Sequence, residues 1–85
     1  MLTDTQVQVL AAVNDHCEAL GPMTVAPAER PLPDLLTDLE LPTAEVLQAL
    51  TDLHEVGMFV AVTVAELRHP IIIDRLTAKG RQELP

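Results

Sequence analysis

The chain has 85 residues, which is enough for one small domain and too few for a second hydrophobic core. Apolar residues make up 48% of the chain, and this content argues against disorder. Phe59 is the single aromatic residue, so the chain can hardly bind single-stranded nucleic acid by stacking aromatic side chains on its bases. The net charge of −8 is uneven, because residues 1–67 carry a charge of −10 and residues 68–85 a charge of +2.

A helix over about residues 4–20 is the first predicted element. Thr3, with Gln6 three residues later, forms the capping-box pattern that starts a helix, and Gly21 before Pro22 forms the pattern that ends one. The lone cysteine of this helix, Cys17, excludes an internal disulfide and is interpreted as a small buried apolar group. The apolar residues at helical spacing are Val7, Leu10, Val13, Cys17 and Leu20.

Two further helices are predicted after a connector that contains four prolines. Residues 22–33 form this connector, with a short strand over 23–25. A short helix over 34–39 follows, and then Thr43 is predicted to be the N-cap of a helix that ends at Gly57. Residues 34–57 are therefore a helix-turn-helix candidate. The third helix has the apolar stripe Val46, Leu47, Leu50 and Leu53 and the outer residues Glu45, Gln48, Asp52 and Glu55.

Beyond Gly57 the pattern changes from helical to extended. Residues 58–64 and 71–73 are rich in β-branched side chains, and the polar segment between them ends in Pro70, so a hairpin is predicted over about 58–75. A short C-terminal helix over about 77–84 follows. The fold class is α+β: three helices, a two-stranded β-hairpin and a short C-terminal helix, in one domain over 1–85.

Two segments resemble bacterial winged helix-turn-helix regulators. Residues 43–59 resemble the recognition helix of that superfamily, which ends at a Gly followed by an apolar strand. Residues 76–84 resemble the Leu-Thr-x-x-Gly-Arg-x-x-Leu sequence that follows the wing in MarR-like and PadR-like proteins. The resemblance covers residues 34–84 and implies a small winged helix-turn-helix domain whose hairpin is the wing.

The resemblance implies a DNA-binding transcription regulator that acts as a homodimer. Its third helix would enter the major groove of double-stranded DNA, and its wing would contact the phosphate backbone. The residues that would face base edges are Thr43, Ala44, Glu45 and Gln48. The residues expected at the wing tip are Arg68 and His69, and the basic strip would continue through Arg75, Lys79 and Arg81.

The charges favour a different partner. The predicted recognition helix contains no Lys or Arg, although neutralised phosphates supply most non-specific affinity for DNA. The long dimerisation helices of MarR-like and PadR-like proteins are also missing. The alternative is an acidic winged-helix interaction module (an inhibitor, a DNA mimic or an assembly subunit) that binds a basic protein and not DNA. Its interaction face would be Asp34, Asp38, Glu40, Glu45, Asp52 and Glu55.

The position of the basic side chains separates these two hypotheses. If they cluster near the N-terminus of the third helix, DNA is favoured. If they are dispersed, or neutralised by Asp74 and Glu83, a basic protein partner is favoured.

No catalytic, cofactor or metal site is predicted. The three histidines form no pair at ligand spacing on one helix. Three glycines provide no phosphate-binding loop, and no Ser/His/Asp or Cys/His arrangement is recognisable. No leader and no apolar run of membrane-spanning length is present, so the expected location is the cytoplasm, with no membrane partner. The leading prediction is therefore a small DNA-binding regulatory protein that is not an enzyme, and the acidic interaction module is the alternative.

Overall fold

The elements follow the predicted order, with one additional strand in the sheet. A computed structural model describes all residues, Met1–Pro85. The α+β class is confirmed, but the sheet has three antiparallel strands in the order β1-β3-β2 instead of two. The elements are α1 (Asp4–Leu20), β1 (Met23–Thr24), α2 (Asp34–Thr37), α3 (Thr43–Glu55), β2 (Phe59–Val62), β3 (Ile72–Leu76) and α4 (Ala78–Gln82).

Helix α1 has the predicted bounds. Gln6 N donates to Thr3 Oγ1 at 3.1 Å and Thr3 N donates to Gln6 Oε1 at 3.0 Å, so both halves of the capping box are present. Gly21 ends the helix with φ of 88°, a conformation that costs glycine little. The local sequence therefore determines both ends of this helix.

Helix α3 begins differently from the prediction. Its N-cap is Pro42, and the carbonyl oxygen of Pro42 accepts from Glu45 N at 3.0 Å and Val46 N at 3.1 Å. Thr43 is the first helical residue, and no side chain caps the helix. The assignment of Thr43 as N-cap is wrong because the fixed φ of Pro42 already suits the cap, which needs no backbone N–H.

The sheet joins the connector to the hairpin. Val62 pairs with Ile72 across the hairpin, and Met23 of β1 pairs with Ile73 on the other side of β3. Strand β3 extends to Leu76, one residue beyond the predicted wing. Strand β3 is therefore central, with β1 and β2 as edges.

The hairpin loop, residues 63–71, lies against α3. Thr51 Oγ1 of α3 is 2.9 Å from Leu47 O and 3.3 Å from Arg68 O, so one hydroxyl lies within hydrogen-bond distance of both its own helix and the loop. His69 and Pro70 are buried. This part of the predicted wing therefore folds back onto the domain.

The core lies between α1, α3 and the sheet. It consists of Val9, Leu10, Ala12, Val13, Met23, Val25, Leu32, Leu36, Val46, Ala49, Leu50, Leu53, Met58, Phe59, Ile73 and Leu76.

Candidate interaction surface

The outer face of α3 is acidic. Glu45, Gln48, Asp52 and Glu55 lie within an arc of about 80° if each residue turns the helix by about 100°. Gln48 Nε2 donates to Asp52 Oδ1 at 2.9 Å, which holds one carboxylate on this face. No Lys or Arg occurs in α3, so the face carries three carboxylates and no cation.

The other predicted carboxylates lie before α3. Asp34 and Asp38 are exposed at α2, and Glu40 is exposed in the turn that leads to α3. The single salt bridge of the molecule joins Arg75 to Asp74, so none of the six predicted carboxylates is paired with a cation. Their charge therefore remains available to a partner.

A groove runs between the start of α1 and the acidic face of α3. It is a shallow groove of about 290 Å³, and all but one of the residues that line it have polar side chains. Glu45 and Asp52 supply its carboxylates, and Gln48 an amide. The α1 side consists of Thr3, Thr5 and Gln6. A Lys or Arg side chain fits such a lining because carboxylates and carbonyl oxygens accept from its N–H groups. Sequence patterns did not predict the groove, since two helices far apart in the chain form it.

The predicted basic strip is dispersed. Arg75 Nη1 lies 2.6 Å from Asp74 Oδ2. Arg81 Nη1 donates to Leu76 O at 2.8 Å. Lys79 lines a hollow with Asp52 and Val56, beside the C-terminal half of α3, whereas Arg68 lies with Ala44 and Gln48 beside its N-terminal half. No basic cluster is therefore formed at the N-terminus of α3.

His69 does not occupy a projecting wing tip. Only 9% of the residue is exposed, and its Nδ1 lies 2.9 Å from Pro70 O. The placement of His69 at an exposed tip is wrong, because the loop folds onto α3 and carries the ring inward. Arg68, its neighbour, is exposed as predicted.

Residues 76–84 have structural roles. Thr77 Oγ1 donates to Gly57 O at 2.7 Å and accepts from Gly80 N at 3.1 Å, so it caps α4 and joins it to the turn that follows α3. Gly80 approaches the Met58 carbonyl so closely that no Cβ fits. The guanidinium of Arg81 bonds to the Leu76 carbonyl. Thr77, Gly80 and Arg81 therefore all contribute to the docking of α4 against the rest of the domain.

Cys17 is half-buried between α1 and β3. Its Sγ donates to Ile73 O at 3.6 Å. Burial raises the pKa of the Cys17 thiol, a hydrogen bond from the Met23 backbone opposes this, and the negative charge of Asp74 adds to the increase. The thiol is therefore protonated and poorly nucleophilic at neutral pH.

No family model, no curated protein and no solved structure matches this chain. Function must therefore be inferred from its own residues. No three His, Cys, Asp or Glu side chains lie close enough together to hold a metal ion. None of the helices combines the length and the apolar character needed to cross a membrane.

Proposed function

We propose that this chain is a winged-helix-like interaction module that binds a basic protein through the acidic outer face of α3 and the groove beside it. The observation that carries the proposal is the distribution of charge. The face of α3 that would enter a DNA groove has three carboxylates and no cation. The side chains expected to contact phosphate are dispersed, buried or engaged within the chain.

The energetic balance disfavours DNA at this face. A carboxylate about 7 Å from a phosphate is repelled by about 0.6 kcal/mol even in bulk water. Glu45, Asp52 and Glu55 together would therefore cost about 2 kcal/mol, and more where water is excluded. Arg68 is the single exposed cation near the N-terminal half of α3, and an exposed ion pair contributes only about 0–1 kcal/mol.

The same charges favour a basic protein. An uncompensated acidic face attracts a Lys- or Arg-rich surface over about one Debye length, which accelerates association and makes it dependent on salt. The groove beside Glu45 and Asp52 then offers a specific position for one basic side chain. Long-range charge thus selects the class of partner, and the groove orients it.

The test uses a fluorescein-labelled synthetic peptide rich in Lys and Arg, with labelled random-sequence duplex DNA as the competing ligand. Fluorescence anisotropy is measured for the wild type and two triple variants at low and moderate salt. One variant, E45Q/D52N/E55Q, removes the charge of the α3 face. The matched control, D15N/E18Q/E29Q, removes three exposed charges elsewhere, so both variants have a net charge of −5 in place of −8.

We expect the wild type to bind the peptide and not the DNA. The α3 variant should bind the peptide about tenfold more weakly, and the control about twofold more weakly, because only the first loses local contacts. Equal losses in both variants would contradict a specific site on α3 and leave only an effect of net charge.

The DNA-binding regulator is the second candidate, and one observation favours it. Arg68, Ala44 and Gln48 border the same hollow of about 360 Å³ beside the start of α3, where the resemblance expects base and phosphate contacts. Duplex binding that weakens steeply with salt, and whose salt slope falls in Arg68→Ala, would support this candidate over the acidic module.

A further inference from the structure

A second hollow, unrelated to the acidic face, lies between the proline-rich connector and the hairpin loop. Its volume is about 260 Å³. Residues 25–29 form one wall, and Leu67, His69 and Ile71 form the other. Val25 N donates to Ile71 O at 2.6 Å, and the amides of Glu29 and Arg30 both donate to Ala26 O at 3.0 Å. Backbone hydrogen bonds therefore hold both walls, and the hollow is a formed feature of the fold.

The chemistry of this hollow is set by His69. Its Nδ1 lies 2.9 Å from the Pro70 carbonyl oxygen, which only accepts, so Nδ1 carries the proton. In the neutral ring Nε2 is then a hydrogen-bond acceptor, and nothing in the chain donates to it. Since no fully buried side-chain nitrogen lacks a partner, Nε2 retains some exposure, and His69 borders both this hollow and the one beside the start of α3.

The remaining lining excludes most charged ligands. Apart from His69 and the exposed Glu29 at the rim, the walls consist of apolar side chains. A buried ammonium group would lose its hydration without a close counter-ion, since Glu29 is in solvent. An anion would be repelled by Glu29 and by the net charge of −8.

The volume limits the size of the ligand. A cavity of about 150 Å³ holds one benzene ring, so a hollow of about 260 Å³ accommodates a molecule of one or two small rings. We propose that the hollow between residues 25–29 and the hairpin loop binds a small, uncharged, mostly apolar molecule that donates a hydrogen bond to Nε2 of His69.

The test compares two probes that differ in one hydrogen-bond donor. Indole has an N–H, and 1-methylindole has the same rings without it. Each is titrated into the ¹⁵N-labelled full chain, and amide shifts are followed by two-dimensional NMR. A molecule of this size is expected to bind with a Kd of about 1–10 mM. The shifts should saturate and be confined to residues 25–29 and 67–71.

Indole should bind about three- to tenfold more tightly than 1-methylindole, because only indole donates to His69. In His69→Phe, which keeps a ring but removes Nε2, the two probes should bind equally. Ala28→Leu fills the hollow and should abolish binding, whereas Ala78→Leu, at an exposed position of α4, should leave it unchanged. Dispersed amide signals in the NMR spectrum of each variant are required as the control that it is folded.

Several results would overturn the proposal. Absence of any concentration-dependent shift in residues 25–29 and 67–71 up to about 10 mM indole would exclude the site, because a Kd of about 10 mM already gives half occupancy there. Equal affinities of the two probes in the wild type, or a difference that persists in His69→Phe, would exclude Nε2 as the acceptor. Shifts confined to Ala44, Leu47 and Gln48 would place the ligand on the other side of the ring, beside α3.

Discussion

The close approach of α4 to the segment between α3 and β2 makes Gly80→Ala a severe substitution. A Cβ at position 80 would lie 3.0 Å from the Met58 carbonyl carbon and closer still to its oxygen, where ordinary contact begins at 3.4 Å. The obstacle is backbone and not a flexible side chain, so α4 must move by about 1 Å or more.

The cost follows from the contacts that hold α4. A shift of this size breaks the bond from Thr77 N to Met58 O, now 3.0 Å, and the bond from Thr77 Oγ1 to Gly57 O. Two such bonds contribute about 2 kcal/mol, and overpacking adds about 1–3 kcal/mol. Helix propensity acts in the opposite direction, since Ala is favoured over Gly by about 1 kcal/mol. Gly80→Ala should therefore lower the free energy of unfolding by about 2–4 kcal/mol.

Thermal and urea unfolding followed by circular dichroism measure this difference. For a domain of this size the expected loss lowers Tm by about 10 °C or more. Ala78→Gly is the control, because it changes propensity in the same short helix without a steric conflict and should cost at most about 1 kcal/mol. A Tm for Gly80→Ala equal to or above that of the wild type would refute the close approach of α4.

Three further predictions concern single residues. Glu40 has φ of 58°, so Glu40→Gly should raise the free energy of unfolding by about 0.5–1 kcal/mol, and an unchanged urea midpoint would show that the left-handed backbone is not strained. Thr51→Val removes the bond to Arg68 O and should accelerate amide hydrogen exchange in the loop 63–71; exchange at the wild-type rate would mean that this bond does not hold the loop. Because burial raises the pKa of the Cys17 thiol, the folded state should lose stability as the pH rises past about 8.5. Urea unfolding below and above that pH should show a smaller loss in Cys17→Ala, and equal losses would contradict the raised pKa.

Much of the secondary structure follows from local sequence. The capping box at Thr3 and the φ of Gly21 involve only neighbouring residues, so their pattern predicts α1 from end to end. The apolar period of α3 and the β-branched runs of the hairpin are equally local signals. The same applies to the acidic face of α3, because helical geometry alone places Glu45, Asp52 and Glu55 together once the helix is recognised.

Long-range contacts decided the rest. Pairing of β1 with β3 requires that residues about fifty positions apart meet, and no local pattern specifies which strands meet. The basic side chains are separated by tertiary structure, since Arg68 lies beside the N-terminal half of α3 and Lys79 beside its C-terminal half. His69 reads as a polar loop residue, and its burial depends on how the loop meets α3 through Thr51.

The sequence by itself thus determined which segments are helical or extended and that the outer face of α3 is anionic, because these depend on period and on neighbours a few residues apart. The tertiary structure alone decided that the basic side chains are dispersed, that α1 and α3 form a polar groove, and that a hollow lined by His69 lies behind the hairpin loop. Each of these depends on distances between residues that are remote in the chain, which are set only when the core closes.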